Sequence, residues 1–380
     1  MTYIERNFNF MQDLKDRFLS LDTFRGLDVA LMILVNSLGS SNTYSPLLHA
    51  DWHGFTLTDL VFPTFLFVVG NAMSFSQAKY EAQGEGQFLK KVFKRTFIIF
   101  FLGYLMYWFP FFDVDASGGW FLKPINETRI FGVLQRIALC YLFASLVIHY
   151  FKIQGALIFS LLALVLYRVL LVAFGDLSLE GNAVLKLDAW LIGESHMYHG
   201  EGIAFDPEGL LSTLPAIVNV IAGYAAGLFL QRGGKNYETI AKLMMIGAAL
   251  LLMAAWWDLL FPINKKLWTS TYVLHTVGLD LIILSVLVFI IEIAQRNKWT
   301  SFFEVFGKNT LFIYLLSEVF ITLLFTFRVG EDSLHSWIYQ NFFKSWAGDY
   351  NGSVLFALWI ILICWAVGYV MDKKKIYVKV

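Results

Sequence analysis

The chain has 380 residues, of which 58% are hydrophobic and only 15% charged, with 37 Phe, 17 Tyr and 12 Trp, a balance that excludes a soluble globular domain. Lys plus Arg and Asp plus Glu each number 29, so the formal net charge is zero and no basic surface argues for nucleic acid as a partner. Both cysteines, Cys140 and Cys364, lie inside apolar runs as small packing residues, which excludes a disulfide framework and thiol chemistry.

Apolar runs of about 20 residues, each long enough to cross a hydrocarbon core of roughly 30 Å, recur along the whole chain. They predict an all-α fold: a polytopic transmembrane helical bundle of about ten spans, with short interfacial helices in the outer loops, in a single membrane domain over residues 1–380. Residues 1–22 form a polar cytoplasmic amino-terminal segment without the pattern of a cleavable signal peptide. Spans then follow at 23–40, 56–77, 93–112, 129–150, 153–174, 209–231, 239–261, 267–293, 301–326 and 353–371. An even number of crossings puts both termini on one side. Arg6, Lys15, Arg17 and Arg25, then Lys79, Lys90, Lys91, Lys94 and Arg95, then Lys373, Lys374 and Lys375 of the tail 372–380 mark that side as cytoplasmic.

The alternate loops 41–55, 113–128, 175–208 and 327–352 are poor in Lys and Arg and face outward, which in a bacterial inner membrane is the periplasmic side. Lys265 and Lys266 break this pattern. In the long outer loop 175–208, Val184, Leu185, Leu187, Trp190 and Leu191 are spaced for a short amphipathic helix at the interface. The following "FDPEG" reads as a helix start, with Asp206 as cap, Pro207 in the first turn and Glu208 at the positive helix end.

An ionisable group inside a bilayer costs roughly 2.5–3.5 kcal/mol on insertion scales, so such groups face a cavity or a partner. Asp28, Asn36, Asp59, Gln135, Arg136, Asn219, His275, Asp280, Lys308, Asn309 and Glu318 all fall in or at the spans, which predicts a hydrated interior cavity. Some of these have structural explanations: Asn219 as an interhelical hydrogen bond, Arg136 as the partner of Asp280 or Glu318, and Pro63 and Pro215 as helix kinks.

The stretch "LLHADWHGFTLTDLVFPTFLFVVG", residues 47–70, concentrates His49, Trp52, His53 and Asp59 at the outer rim of the second span. It is open to three explanations. The loop is anchored by its Trp with histidines exposed by chance; or His49 and His53, with His196 and His199, hold a metal, although no HExxH occurs; or a neutral imidazole acts as general base, oriented by Asp59.

"SLDTFRGLDVALMILVN", "HADWHGFTLTDLVFPTFLFVVGNAMSFS", "RIFGVLQRIALCYL", "GEGIAFDPEGLLSTLPAIVNVIAGYAAGLFL", "PINKKLWTSTYVL" and "GKNTLFIYLLSEV", in this order, resemble the heparan-α-glucosaminide N-acetyltransferase family and its bacterial relatives. The resemblance runs from about Leu19 to beyond Glu318. It implies an acetyl-CoA-dependent N-acetyltransferase that moves acetyl from cytosolic acetyl-CoA to the amine of a glucosamine-type sugar across the membrane. His49 matches the family's essential histidine in "HAxW" and is the implied catalytic residue, with Asn36 and Asp59 beside it. His53 stands where the human-type motif has Asn.

For the donor phosphates the expected contacts are Arg136, Lys308 and Gln135, and for an amino sugar Trp52, His53, Glu208 and Trp268. No resident metal is expected. The expected partners are acetyl-CoA, an amino-sugar or glycan acceptor, membrane lipid and a second copy of the chain. Two other functions fit the sequence: an amino-sugar transporter, for which inverted repeats would speak but none is visible, and an acyltransferase acting on another cell-envelope glycan.

Overall fold

A computed structural model describes residues 18–114 and 119–378, so Arg6, Lys15 and Arg17 lie outside the described residues. The chain runs through α1 (Leu19–Asn36), α2 (Leu57–Glu81), α3 (Glu85–Trp108), α4 (Val133–Phe174), α5 (Ala183–Ile192), α6 (Leu210–Gly233) and α7 (Tyr237–Asp258). It continues through α8 (Ser270–Val288), α9 (Thr300–Lys308), α10 (Thr310–Thr326), α11 (Leu334–Ile338) and α12 (Ser345–Lys373). Two short antiparallel ribbons, Phe112–Val114 with Trp120–Leu122 and Arg328–Val329 with Asp332–Ser333, interrupt the expected all-helical pattern in the loops.

Each of the ten expected windows falls on a helix. Among the described residues, six helices are long and apolar enough to cross a membrane, or seven when α9 and α10, bent by 86°, form one span. These apolar helices make the chain an integral membrane protein. α4 is 42 residues long and loses helical geometry at Lys152 (φ 55°), which divides it between the fourth and fifth windows.

Lipid tails are as apolar as Leu, so helices in a bilayer associate through close packing, and small residues let their backbones approach. At the α2–α6 crossing, a Cβ on Gly70 would lie 1.8 Å from the Val220 carbonyl oxygen, and one on Gly223 would lie 1.8 Å from that of Phe67. α1 meets α9 the same way at Gly26 and Gly307. Gly223→Ala is therefore expected to cost more than about 2 kcal/mol, because the obstructing atom is backbone and both helices must part. Thermal unfolding in detergent checks this; an unchanged midpoint would contradict the close crossing.

Buried polar groups tie the bundle at other points. Asn219 donates to Thr276 Oγ1 (3.1 Å) and accepts from the Trp268 indole (3.1 Å), which is the interhelical bond expected of it. Asp280 accepts from Thr64 (2.6 Å), and Glu318 from Asn36 (3.0 Å). Arg136 bonds to neither carboxylate: it donates to the Gly209 carbonyl (3.0 Å) and to the Ser212 hydroxyl, which corrects the pairing considered from sequence.

The expected amphipathic helix is α5, with Val184 buried and Trp190 80% exposed. Its Asp188 carries an unexpected task. The start of α6 is capped from there, by Leu210 N–H donating to Asp188 Oδ1 (3.0 Å), whereas Asp206 is held by Arg129. Burial pushes the Asp188 carboxyl up to about 7, from an ordinary value of 3.8.

The native state thus holds this proton more tightly than the unfolded chain, and stability falls as pH rises through the window from 3.8 to about 7. Asp188→Asn keeps the capping oxygen and removes the ionisation. Its unfolding midpoint is expected to vary less between pH 5 and pH 7.5 than the wild-type midpoint, and parallel profiles would rule this out.

Candidate active site

The loop between α1 and α2 folds back over the start of α2 because Asp59 caps it. Thr56 N–H donates to Asp59 Oδ2 (3.0 Å), Ala50 N–H does the same (3.1 Å), and the Thr56 hydroxyl donates to the Leu48 carbonyl (2.6 Å). These bonds fix the carboxylate, which is 1% exposed, and turn residues 48–50 toward it. His49 Nδ1 then lies 2.7 Å from Asp59 Oδ1, while the ring is half exposed at the rim. Donation of Nδ1–H to the carboxylate makes Nε2 the unprotonated ring nitrogen. Tyr272, on α8, supports the same turn by donating to the Asp59 carbonyl (2.6 Å).

Lys265, from the loop between α7 and α8, places its Nζ 3.0 Å from His49 Nδ1, 3.4 Å from Nε2 and 3.6 Å from Asp59 Oδ1. Burial lowers its pKa, against the pull of Asp59 and Glu208. The signal for this residue was its place as a lysine among predicted outer loops otherwise poor in Lys. Lys266 donates to the Asp51 carbonyl (2.7 Å) and pairs with Glu201, so both out-of-pattern lysines anchor the His49 loop.

A cavity of about 110 Å³ opens beside the ring, with Asn36, His49, Glu208 and Lys265 as its polar wall and Val61 and Phe62 on its apolar side. Glu208 is held by Arg129 (2.6 Å), which also grips the fully buried Asp206 at 2.6 Å. Burial works against charge on Glu208, but Arg129, Arg136 and Lys265 outweigh it and hold the carboxyl below its ordinary value. Arg129 was not singled out from the sequence, although a basic residue opening the fourth predicted span, directly after a predicted outer loop poor in Lys and Arg, was its signal. A larger apolar groove of about 520 Å³ at Leu252, Met253, Trp256 and Trp257 offers no group for chemistry.

Several expected site residues stand elsewhere or are already engaged. Trp268 is 1% exposed, packed edge-on to Phe62 and Tyr272 with Arg136 over its ring (4.8 Å), so it has no free face for a sugar. Trp52 donates its indole N–H to the Leu177 carbonyl (2.7 Å), and His53 Nδ1 contacts the Asn264 amide (3.3 Å). Burial lowers the His53 pKa.

Gln135 and Arg136 lie in the first turn of α4, whose Val133 lines the cavity beside His49. Lys308 closes α9, where Gly307 packs on Asp22 at the start of α1, and it is paired with Asp372 (2.8 Å). The three expected phosphate contacts therefore sit at opposite ends of α1, about 27 Å apart along an 18-residue helix.

Residues 17–188 match the family model described as heparan-alpha-glucosaminide N-acetyltransferase, catalytic. Over that segment the chain is similar to that family. It is 27% identical to the heparan-alpha-glucosaminide N-acetyltransferase of Homo sapiens over a 430-residue alignment covering 97% of this chain and 60% of that protein. Against the heparan-alpha-glucosaminide N-acetyltransferase of Mus musculus it is 26% identical, covering 96% of this chain and 61% of the relative. The chain thus spans about 60% of the length of the curated relatives it matches. The family segment contains Asn36, His49, Asp59 and Arg129, whereas Glu208, Lys265 and Glu318 lie beyond it.

Proposed function

We propose that the chain is a transmembrane acetyltransferase that moves an acetyl group from acetyl-CoA to the amine of a glucosamine-type sugar, with His49 as general base. The observation that carries this reading is the His49–Asp59 pair at the rim of a polar cavity, inside the segment that matches an N-acetyltransferase family.

An amine attacks a thioester only when unprotonated, and the attack builds negative charge on the carbonyl oxygen. Asp59 accepts Nδ1–H and fixes the tautomer, so Nε2 takes the amine proton as the new C–N bond forms. The imidazolium is offset by the Asp59 carboxylate below it. When the C–S bond breaks, the same proton passes to the leaving sulfur, giving the N-acetyl product and free thiol. Lys265 and the Asn36 amide both line the cavity and supply donors for the developing oxyanion.

On the reading that all ten windows cross, both termini share one face, and the lysine-rich segments 79–95 and 373–375 assign that face to the cytosolic, donor side. His49 then belongs to the opposite, acceptor side. Vesicles reconstituted with the full chain test this, with acetyl-CoA on one side and labelled glucosamine on the other. Acetylated sugar is expected only with the donor on the lysine-rich face. Flux of unmodified glucosamine without acetyl-CoA would overturn the reading in favour of a transporter.

A further inference from the structure

A second cavity, of about 130 Å³, lies between α3, α4 and α10 and is walled by Gly103, Tyr107, Gln135, Tyr314, Glu318 and Thr322. Gln135 is fully buried, and neither its amide oxygen nor its amide nitrogen has a hydrogen-bond partner. A buried amide left unsatisfied at both ends is costly, so its retention beside a cavity points to an occupant with both a donor and an acceptor. Glu318 supplies the other half of the chemistry. Its carboxylate accepts from the Asn36 amide (3.0 Å) and from the Tyr314 hydroxyl, and among the described residues no ion pair neutralises it. A half-buried carboxylate without a counter-ion favours a cation and repels phosphates.

The two cavities share a wall. Asn36 lines the His49 cavity and bonds to Glu318 of the second. Glu208 lines the first, and its partner Arg129 donates to Tyr107 of the second (3.3 Å).

We propose that this second cavity is an amine-recognition subsite, in which Glu318 binds the protonated amine of an amino sugar and Gln135 pairs with a neighbouring hydroxyl. The ammonium supplies the missing cation, and a hydroxyl, being donor and acceptor at once, answers both ends of the amide. Asn36 then separates this recognition position from the His49 cavity, into which the amine must move before Nε2 takes its proton. That this amino sugar is the acetyl acceptor rests on the proposed transferase reading; the binding itself does not.

The test uses the purified full chain in detergent without acetyl-CoA, titrated calorimetrically with glucosamine, glucose and N-acetylglucosamine. Wild type is expected to bind glucosamine at least about tenfold more tightly than the two sugars lacking a free amine, and Glu318→Gln is expected to lose that difference. Equal affinity of wild type for all three, or full discrimination by Glu318→Gln, overturns the subsite.

Should Glu318→Gln fail to fold, Gly103→Ala probes another wall, because its Cβ would lie 2.6 Å from Gln135 Oε1 and 2.8 Å from Leu134 Cβ. It is expected to weaken glucosamine binding at least about fivefold, and unaltered binding counts against the subsite. Glu318-dependent amine binding without acetyl transfer would sink the transferase reading and leave the subsite standing. His49-dependent transfer with Glu318-independent binding would do the reverse.

Discussion

His49→Ala is expected to lower kcat for glucosamine acetylation by about 10²- to 10⁴-fold, the range for loss of a positioned general base. Three features make this the most telling substitution in the site. The ring is half exposed, so its removal opens no buried cavity. Asp59 keeps its backbone donors from Ala50 and Thr56, so the turn that carries the loop remains capped. Lys265 still lies 3.6 Å from Asp59, so the carboxylate retains a cation. The variant should therefore fold with a wild-type unfolding midpoint and bind acetyl-CoA while failing at transfer. A single-turnover assay with labelled acetyl-CoA separates these steps, and a variant that transfers acetyl within about tenfold of wild type would remove His49 from the reaction. Asp59→Asn should show an intermediate defect with a shifted pH profile, since an amide can no longer dictate which ring nitrogen carries the proton.

Arg129→Met is expected to destabilise the fold by about 3–5 kcal/mol, the range for breaking a buried ion pair by removing one partner. Arg129 is 15% exposed and answers both Asp206, which is fully buried, and Glu208, which is 13% exposed. Its guanidinium also lies 4.9 Å from the Tyr107 ring and 4.8 Å from that of Tyr198. Methionine preserves much of the packing but leaves two carboxylates close together without their cation. Adding Asp206→Asn to Arg129→Met should recover part of the loss, because one uncompensated charge disappears. Chemical or thermal unfolding of the four proteins of this cycle measures the coupling. A single Arg129→Met with wild-type stability would mean that the cluster is not a buried ion pair.

The helices were readable because a bilayer imposes a local rule: a run of about 20 apolar residues satisfies its own backbone and spans the core. Every window predicted this way falls on a helix, and the break at Lys152 comes where two windows meet. The number of crossings was less readable, because α1 and α3 are long enough but too rich in charged residues to mark a span, and the 42-residue α4 is one helix although it fills two windows. The helix start at residue 210 was also legible, but its cap was misread. Asp206 has the right chemistry nearby in sequence, yet Arg129 claims it, and Asp188 reaches in from the preceding helix.

For the site, the sequence alone determined the His49–Asp59 pair, since both belong to one loop and one helix start, and a Thr-x-x-Asp cap needs no distant partner. Everything that surrounds the imidazole was decided by tertiary structure. Lys265 comes from 216 residues further along the chain, and the Asn36–Glu318 bond joins residues 282 apart. Trp268, promising as a stacking surface from its loop position, is instead packed away between Phe62, Tyr272 and Arg136. Apolarity specifies that a segment is a helix but not which of its faces meets a neighbour. That choice is made where backbones approach closely, at glycines such as Gly70 and Gly223, and those crossings determine which polar side chains share a cavity.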